Sequence, residues 1–481
     1  MGLQHKICFV MQFKNKFVQK FWRFSTSFNL GIPVMVALTG LIMWGTIVES
    51  QYDAWTAGQV VYRSWMMHIV MALLVYNLAM VIIDRLPWKK NHYPFILVHI
   101  GIILLIFGGW VTQKYGLDGS MPIALNGKSS LVTVSETDFV VYATFDGDRY
   151  SKLYDSEVHF FKNPPTKEQP QIIQLSTETL KITDYVPYAR TSKKVIKDPS
   201  LKSGSSVKIQ LINANVKQVE TLTQGNIKKS TDVSLGPLKV YLGHDYKTAG
   251  RKKLDSNEVY LNKLNSDSVQ YAYFDKQAET PYKEGVLKIG AVAPTHWMGL
   301  ELRLLDYLES AKEEWDIKPQ SRPTPLTTAV ILVEYKDQKE WLLLNDVIKI
   351  FDDQVAYLVS FQNRRVQLDF PVHLKEFKID RYQGTQKAKS YSSLVSTSSD
   401  SQGGLQGAED TLISMNEPMK YKGFTFYQSS FQQDEQTGQP VASILSVNKD
   451  PGRWIKYLGS LIMSFGIVWL FYQRRKRRTA V

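Results

Sequence analysis

A single cysteine, Cys8, stands in a chain of 481 residues. One thiol excludes an intramolecular disulfide, a CxxC redox pair and a cysteine-based zinc site, and without a CxxCH the chain is not itself a covalent c-type cytochrome. Motifs of soluble enzymes are missing as well: no GxGxxG opening a helix, no Walker A sequence, no HExxH and no GxSxG. Acidic residues are scarce where basic ones gather. Residues 1–27 carry Lys6, Lys14, Lys16, Lys20 and Arg23 with no Asp or Glu; residues 84–92 carry Arg85, Lys89 and Lys90 against Asp84; the tail carries Arg474, Arg475, Lys476, Arg477 and Arg478. Elsewhere the chain is almost neutral, so the formal charge of +13 is confined to short flanks of apolar runs. Such a distribution marks topology and argues against a nucleic-acid partner.

Hydrophobic residues make up 44% of the chain, which rules out a disordered polypeptide. They concentrate in four runs, Leu30–Val48, Trp65–Ile83, Tyr93–Val111 and Trp454–Tyr472, none containing Asp, Glu or Arg. Each is long enough to cross a bilayer, which takes about 20 helical residues. Lys456, at the start of the fourth run, is placed to snorkel towards the interface. Trp44, Trp65, Trp88, Trp110, Trp454 and Trp469 fall near run ends, as an aromatic belt requires. The positive-inside rule puts the N-terminus, the 84–92 loop and the tail in the cytoplasm, and residues 49–64 and 112–453 outside. The first run starts late and lacks a small-x-small cleavage site, so it reads as a span and not as a cleaved signal peptide.

The expected architecture is therefore a membrane protein of four transmembrane α-helices with a large β-rich extracytoplasmic domain between helices three and four. Its parts are a basic cytoplasmic N-terminus (1–29), a three-helix transmembrane bundle (30–111), the extracytoplasmic domain (112–453), and the fourth helix with a basic cytoplasmic tail (454–481). In the outer domain, Ser130–Val134, Val207–Leu211, Leu238–Leu242, Ala329–Tyr335 and Val355–Phe361 are rich in Val, Ile, Tyr and Phe, and many such stretches alternate apolar with polar residues, as strands do. Asn126-Gly127 signals a turn, and 383–410, rich in Ser, Gly, Gln and Thr, reads as a mobile loop. A short helix is expected near Tyr307–Trp315. Phe424–Phe431 and Val441–Val447 are spaced to pair. Asp450-Pro451-Gly452 breaks the last strand and turns the chain into the fourth span. No internal repeat is visible.

Two histidines fall inside the runs, where imidazole is costly to desolvate and points to function. His99 lies six residues into the third run, roughly 9 Å deep from the cytoplasmic end, and His68 lies roughly 5 Å deep from the outer end. In a core of about 30 Å their levels differ by roughly 15 Å. Two imidazoles on one metal need nitrogens only about 4 Å apart, so the pair does not share an iron, and a metal cofactor on His99 takes its second ligand from elsewhere. A hydrogen bond to a neighbouring helix is the plain alternative for His99, and wetting at the interface is the plain alternative for His68. Gly101, Gly108 and Thr112 recur on the side opposite His99, which leaves it facing Phe95, Ile102, Ile103 and Ile106. That apolar wall suits a flat cofactor or a partner helix. The outer histidines His159, His244, His296 and His373 are scattered, with no pair at metal-ligand spacing, and read as structural or surface residues. His5 and His92 fall in the cytoplasmic segments. The aromatic-polar run Tyr421–Gln428 suits a strand with aromatics on both faces, which ordinary core packing also explains.

Several stretches also carry a likeness: Gly45-Thr46-Ile47, Ser64-Trp65, Asp84-Arg85-Leu86, His99-Ile100-Gly101, Asp118-Gly119, Asn416-Glu417-Pro418, Tyr421-Lys422-Gly423-Phe424-Thr425-Phe426-Tyr427-Gln428-Ser429-Ser430 and Asp450-Pro451-Gly452. With them the chain resembles the ResB-like proteins of cytochrome c biogenesis, the System II heme attachment machinery. The resemblance implies one subunit of a bacterial cytoplasmic (inner) membrane cytochrome c synthase, with its large domain on the periplasmic side. Its partner would be a CcsA-type membrane protein, and its client apocytochrome c. It implies heme b as the cofactor and His99 as one axial ligand of the heme iron, the other coming from the CcsA-type half, with no catalytic residue assigned in this chain. The Trp-rich heme segment and paired outer histidines of that half are absent here, so the chain is not expected to attach heme alone. Cys8 is expected in the cytoplasm, which argues against outer thiol chemistry. The rival reading is a non-catalytic membrane-anchored scaffold for cytochrome c assembly. A solute transporter fits less well, for want of an inverted repeat.

Overall fold

A computed structural model describes residues 16–145, 147–175, 178–198, 203–236, 238–247, 256–352, 355–385, 387–397, 409–434 and 438–478. His5, Lys6, Cys8, Lys14 and the stretch 398–408 lie outside the described residues. The chain forms two compact units. One comprises the chain up to Pro187, Arg322–Thr324 and everything from Ala329 onward; the other is Tyr188–Ser321 with Pro325–Thr328.

The helices of the first unit are α1 (Lys16–Ser25), α2 (Phe28–Gln51), the single turn α3 (Ala54–Ala57), α4 (Trp65–Ile83), α5 (Tyr93–Tyr115) and α6 (Arg453–Arg478). Among the described residues four of them, α2, α4, α5 and α6, are long and apolar enough to cross a membrane. They coincide with the four apolar runs. Helix α1 is amphipathic and lies within the segment read as a basic N-terminus. It is tied to α4: Trp22 Nε1 donates to Asp84 Oδ1 (2.7 Å), and the buried Asn77 Nδ2 donates to the Ser25 carbonyl (2.8 Å). Between α2 and α4, α3 runs into a π-helical turn, Gly58–Tyr62, whose Tyr62 ring packs against Gly45 of α2.

Helices α5 and α6 run antiparallel at very short range, and glycine makes this possible. A Cβ on Gly101 would lie 2.7 Å from the Gly459 carbonyl oxygen, and one on Gly108 would lie 2.8 Å from Lys456 Cγ. A Cβ on Gly466 would lie 2.9 Å from the Pro94 carbonyl oxygen. Gly452, Gly459 and Gly466 recur every seven residues, and so do Gly101 and Gly108, which gives a seam of small residues between two helices. At its strand end Asp450 fastens the pair: Thr112 Oγ1 donates to Asp450 Oδ1 (2.6 Å) and Lys456 Nζ to Asp450 Oδ2 (2.8 Å). The Lys456 ammonium thus turns inward to a carboxylate, where snorkelling was expected. Burial pushes the Asp450 carboxyl up, but its bonds from Lys456 and Thr112 outweigh that and hold it below the usual aspartate value. The clasp should therefore be intact from neutral pH down past the ordinary aspartate value of about 3.9, and weaken only as pH falls through the depressed one. Asp450→Ala is expected to cost about 1–3 kcal/mol, since it strands the partly buried Lys456 ammonium and leaves the Thr112 hydroxyl only the Gly108 carbonyl. Thermal unfolding of the detergent-solubilised protein at pH 7 checks this, and an unchanged midpoint would contradict it.

A single residue, Gly116, separates α5 from the strand Leu117–Ala124, which pairs antiparallel with Pro440–Lys449, the strand entering α6. These two strands are the centre of a ten-stranded sheet among the described residues. On one side follow Phe424–Gln433 and Met419–Tyr421; on the other Lys128–Thr144, Ala356–Arg381, Ala388–Thr397 and Glu409–Ile413, with Ser151–Val158 and Asp346–Phe351 added alongside. Asn126 takes a positive φ of 58° in the turn that Asn126-Gly127 signalled. The pairing expected for Phe424–Phe431 with Val441–Val447 is present. The stretch read as a loop from 383 to 410 instead supplies the strand Ala388–Thr397, because its serines are not all solvent-facing. Ser393 and Ser396 are fully buried. The 26-residue strand Ala356–Arg381 serves two cores. Phe361 packs with Phe139, Ile182 and Tyr357, and Phe370 packs with Met121, Phe426 and Val447.

The second unit is a β-sandwich. Thr231–Leu235, Leu238–Leu242, Asn257–Asn265, Ser268–Phe274 and Lys283–Lys288 form one sheet, with a parallel pair in its middle; Val292–Pro294, Glu301–Leu308, Ser206–Ile212 and Lys217–Thr223 form the other. Val207, Ile209, Leu302 and Leu304 meet Val240, Val259 and Tyr273 between them. The helix expected near Tyr307–Trp315 is absent. Those residues end the strand Glu301–Leu308 and begin Ala311–Pro319, because Leu302, Leu304 and Tyr307 fill the sandwich core and two ladders, with residues 206–207 and with residues 193–197, claim their backbone.

Candidate functional site

His99 sits on the face of α5 turned away from the α6 seam, since it stands two residues before Gly101 and nine before Gly108 on a helix of 3.6 residues per turn. Its Nδ1 lies 2.8 Å from the Phe95 carbonyl oxygen one turn earlier. A carbonyl can only accept, so Nδ1 carries the proton and donates. Nε2 is then the lone-pair nitrogen, directed away from its own helix. Fixing the tautomer through the other ring nitrogen is how proteins prepare a metal-ligating imidazole. The ring is half-buried, and so are Phe95, Ile102, Ile103 and Ile106 beside it. They form an apolar wall that the chain itself leaves partly uncovered.

Phe95 is the middle of a three-layer arrangement. Its ring centroid lies 3.8 Å from that of His99, and the Arg85 guanidinium carbon lies 3.4 Å from the Phe95 centroid. Two groups at that range from one centroid occupy opposite faces of the ring. Arg85 follows directly on α4, so the α4–α5 corner sets a cation one phenyl thickness from the imidazole. The neighbouring carboxylate of Asp84 is engaged by Trp22. Arg85 was legible as one of the basic loop residues and within the Asp84-Arg85-Leu86 stretch, but its stacking on Phe95 depends on how the corner folds.

His68 lies three residues into α4, at the opposite end of the antiparallel α4–α5 pair. It is exposed, with Nδ1 2.7 Å from the Ser64 carbonyl oxygen. The structure does not bring it to His99. The outer histidines stay dispersed. His159 lies 3.5 Å from Glu157, His296 lies 3.0 Å from Asp275, His244 packs beside Tyr260, and His373 is held below its usual pKa chiefly by burial. Among the described residues no three His, Cys, Asp or Glu side chains cluster as a metal site. A heme fits the donor set better than a bare ion does: one neutral imidazole with a free Nε2, an apolar wall, and a nearby arginine that makes no side-chain hydrogen bond or ion pair among the described residues.

Other residues that carry the family likeness have packing roles. Gly45 admits Tyr62, and Ser64 caps α4 by accepting from the Met67 amide (3.2 Å). In the Tyr421–Gln428 run, Phe424 and Phe426 are buried on the core face, while Tyr427 is exposed on the other. Gln428 is buried in a polar knot with Ser393 (2.6 Å) and Ser443 (3.0 Å).

This run lies in a stretch, residues 345–442, that matches the ResB-like family. A segment of 132 residues is also 33% identical to Protein NrfI of Wolinella succinogenes. That alignment covers 27% of this chain and 13% of the length of NrfI. The matching stretch contributes the strands from Asp346–Phe351 to Phe424–Gln433, which lie on both flanks of the central strand pair of the ten-stranded sheet, and does not include His99.

Proposed function

We propose that this chain is a heme-handling subunit of a membrane cytochrome c synthase, working with a CcsA-type membrane protein to carry heme across the bilayer and present it to the CxxCH thiols of apocytochrome c. The observation that carries the proposal is the His99 imidazole. Its tautomer is set by Phe95, its Nε2 is free, and it faces an apolar wall left open for a flat ligand and a second subunit. His99 would hold the iron through Nε2, and the partner would complete the iron's ligand set. Bound heme supplies the vinyl groups that react with the thiols; this chain's residues orient it and exclude water. On this reading the 84–92 corner and both termini lie in the cytoplasm and the β-rich part in the periplasm of a bacterial inner membrane, an orientation that the basic flanks of the apolar helices support.

The test is to co-express the chain with a CcsA-type partner, purify the complex, and record heme spectra for wild type and His99→Ala. Most of the bound heme and most cytochrome c maturation should be lost, with the complex still assembled. Unchanged heme content and maturation would remove His99 from the mechanism. One observation favours a second reading, a non-catalytic scaffold: the ResB-like match lies wholly among β-strands. On that reading a heterologous anchor could replace α2, α4, α5 and α6 without loss of maturation.

A further inference from the structure

We infer that Arg85 binds a propionate carboxylate of the porphyrin whose iron His99 ligates; the inference rests on the heme reading above. The guanidinium is half-buried at the end of α4 and stacked on Phe95 at 3.4 Å. The same phenyl ring stacks on His99 at 3.8 Å. A cation in that position ordinarily takes a carboxylate partner, because leaving its donors unmet is costly. Asp84, adjacent in sequence, accepts instead from Trp22 at 2.7 Å. Among the described residues no side-chain hydrogen bond or ion pair reaches Arg85, so its fork of five donors is available to a ligand.

The ligand chemistry matches. Heme b is amphiphilic: two ionised carboxylates leave one edge of an otherwise apolar disc. Such a molecule lies in a helical bundle with its iron among apolar side chains and its carboxylate edge at the polar margin. His99 lies six residues into α5, and Arg85 lies in the corner just beyond α4, which supplies that order of groups. Arginine is the residue suited to a carboxylate here, since its planar fork donates in pairs and stacks on an aromatic face at the same time. The pair His99 and Arg85 would then select the orientation of the disc, carboxylates towards the 84–92 corner.

The experiment uses the full chain in complex with its partner. Ferric protoporphyrin IX and its dimethyl ester are each titrated into the heme-depleted complex and followed by Soret absorbance. Arg85→Gln should weaken binding of the free acid about 10-fold or more, the size of a lost charge-assisted hydrogen bond, and leave the ester within about two-fold of wild type. Arg85→Lys should recover part of the free-acid affinity. An equal loss for acid and ester would make Arg85 a prop for Phe95 and overturn the proposal, as would no loss for either. Wild-type binding of both porphyrins that ignores His99→Ala would instead overturn the heme reading itself. The ester titration also reports whether the variant retains its fold.

Discussion

Gly101→Leu is expected to prevent α5 and α6 from closing. The substituted Cβ would lie 2.7 Å from the Gly459 carbonyl oxygen and equally near the Met463 backbone nitrogen, and neither backbone can move without breaking its own helix. Overpacking a well-fitted contact costs about 1–3 kcal/mol, and more where the obstacle is main chain; we expect at least about 3 kcal/mol. Apolar side chains do not drive helices together in lipid as they do in water, so close backbone approach is a large part of what holds this pair. Gly109→Leu is the control, because a Cβ there meets nothing within 4 Å. Thermal unfolding in detergent should separate the two variants clearly. Equal midpoints would show that the seam does not hold the bundle.

Phe370→Ala should be the most damaging single truncation in the sheet that carries the ResB-like stretch. Phe370 is fully buried, with Tyr421, Phe424 and Phe426 packed edge-on around it at 4.8, 5.9 and 6.2 Å. Loss of a buried phenylalanine with an incompletely collapsing cavity costs about 3–5 kcal/mol. Gln428→Ala, one step along the same core, leaves the hydroxyls of Ser393 and Ser443 short of a partner and should cost about 1–3 kcal/mol. Protease resistance and chemical denaturation of the solubilised protein measure both. A Phe370→Ala protein as resistant as wild type would show that the core is not closed around this ring.

Much of this architecture is legible in the sequence. The four apolar helices stood out because uninterrupted hydrophobic length is a strong signal. The pairing around Asn126-Gly127 and that of Phe424–Phe431 with Val441–Val447 were readable from turn chemistry and alternation. The strand Ala388–Thr397 was hidden because buried serines look like loop composition, and Gln428, the partner of Ser393, lies 35 residues away in sequence. The region Tyr307–Trp315 misled because its charged residues mimic a helical face, while the ladders that claim it come from residues 206–207 and 193–197, about 100 or more positions away in sequence. At the site, His99 was visible as a polar residue in an apolar run, and Gly101 and Gly108 as small residues opposite it. The matching spacing of Gly452, Gly459 and Gly466 was present in the sequence and would have identified α6 as the partner of α5. Arg85 could not be singled out, because stacking on Phe95 is created by the corner between two helices.

One feature of the join between helices and sheet bears on how the molecule works. Tyr115 and Leu117 are separated by Gly116 alone, and Lys449 and Arg453 by the clasped Asp450-Pro451-Gly452. The two helices and two strands therefore form one continuous shaft without slack. A change in tilt of α5 or α6 would therefore be passed, across Gly116 and the Asp450 clasp, as torsion into the middle of the ten-stranded sheet.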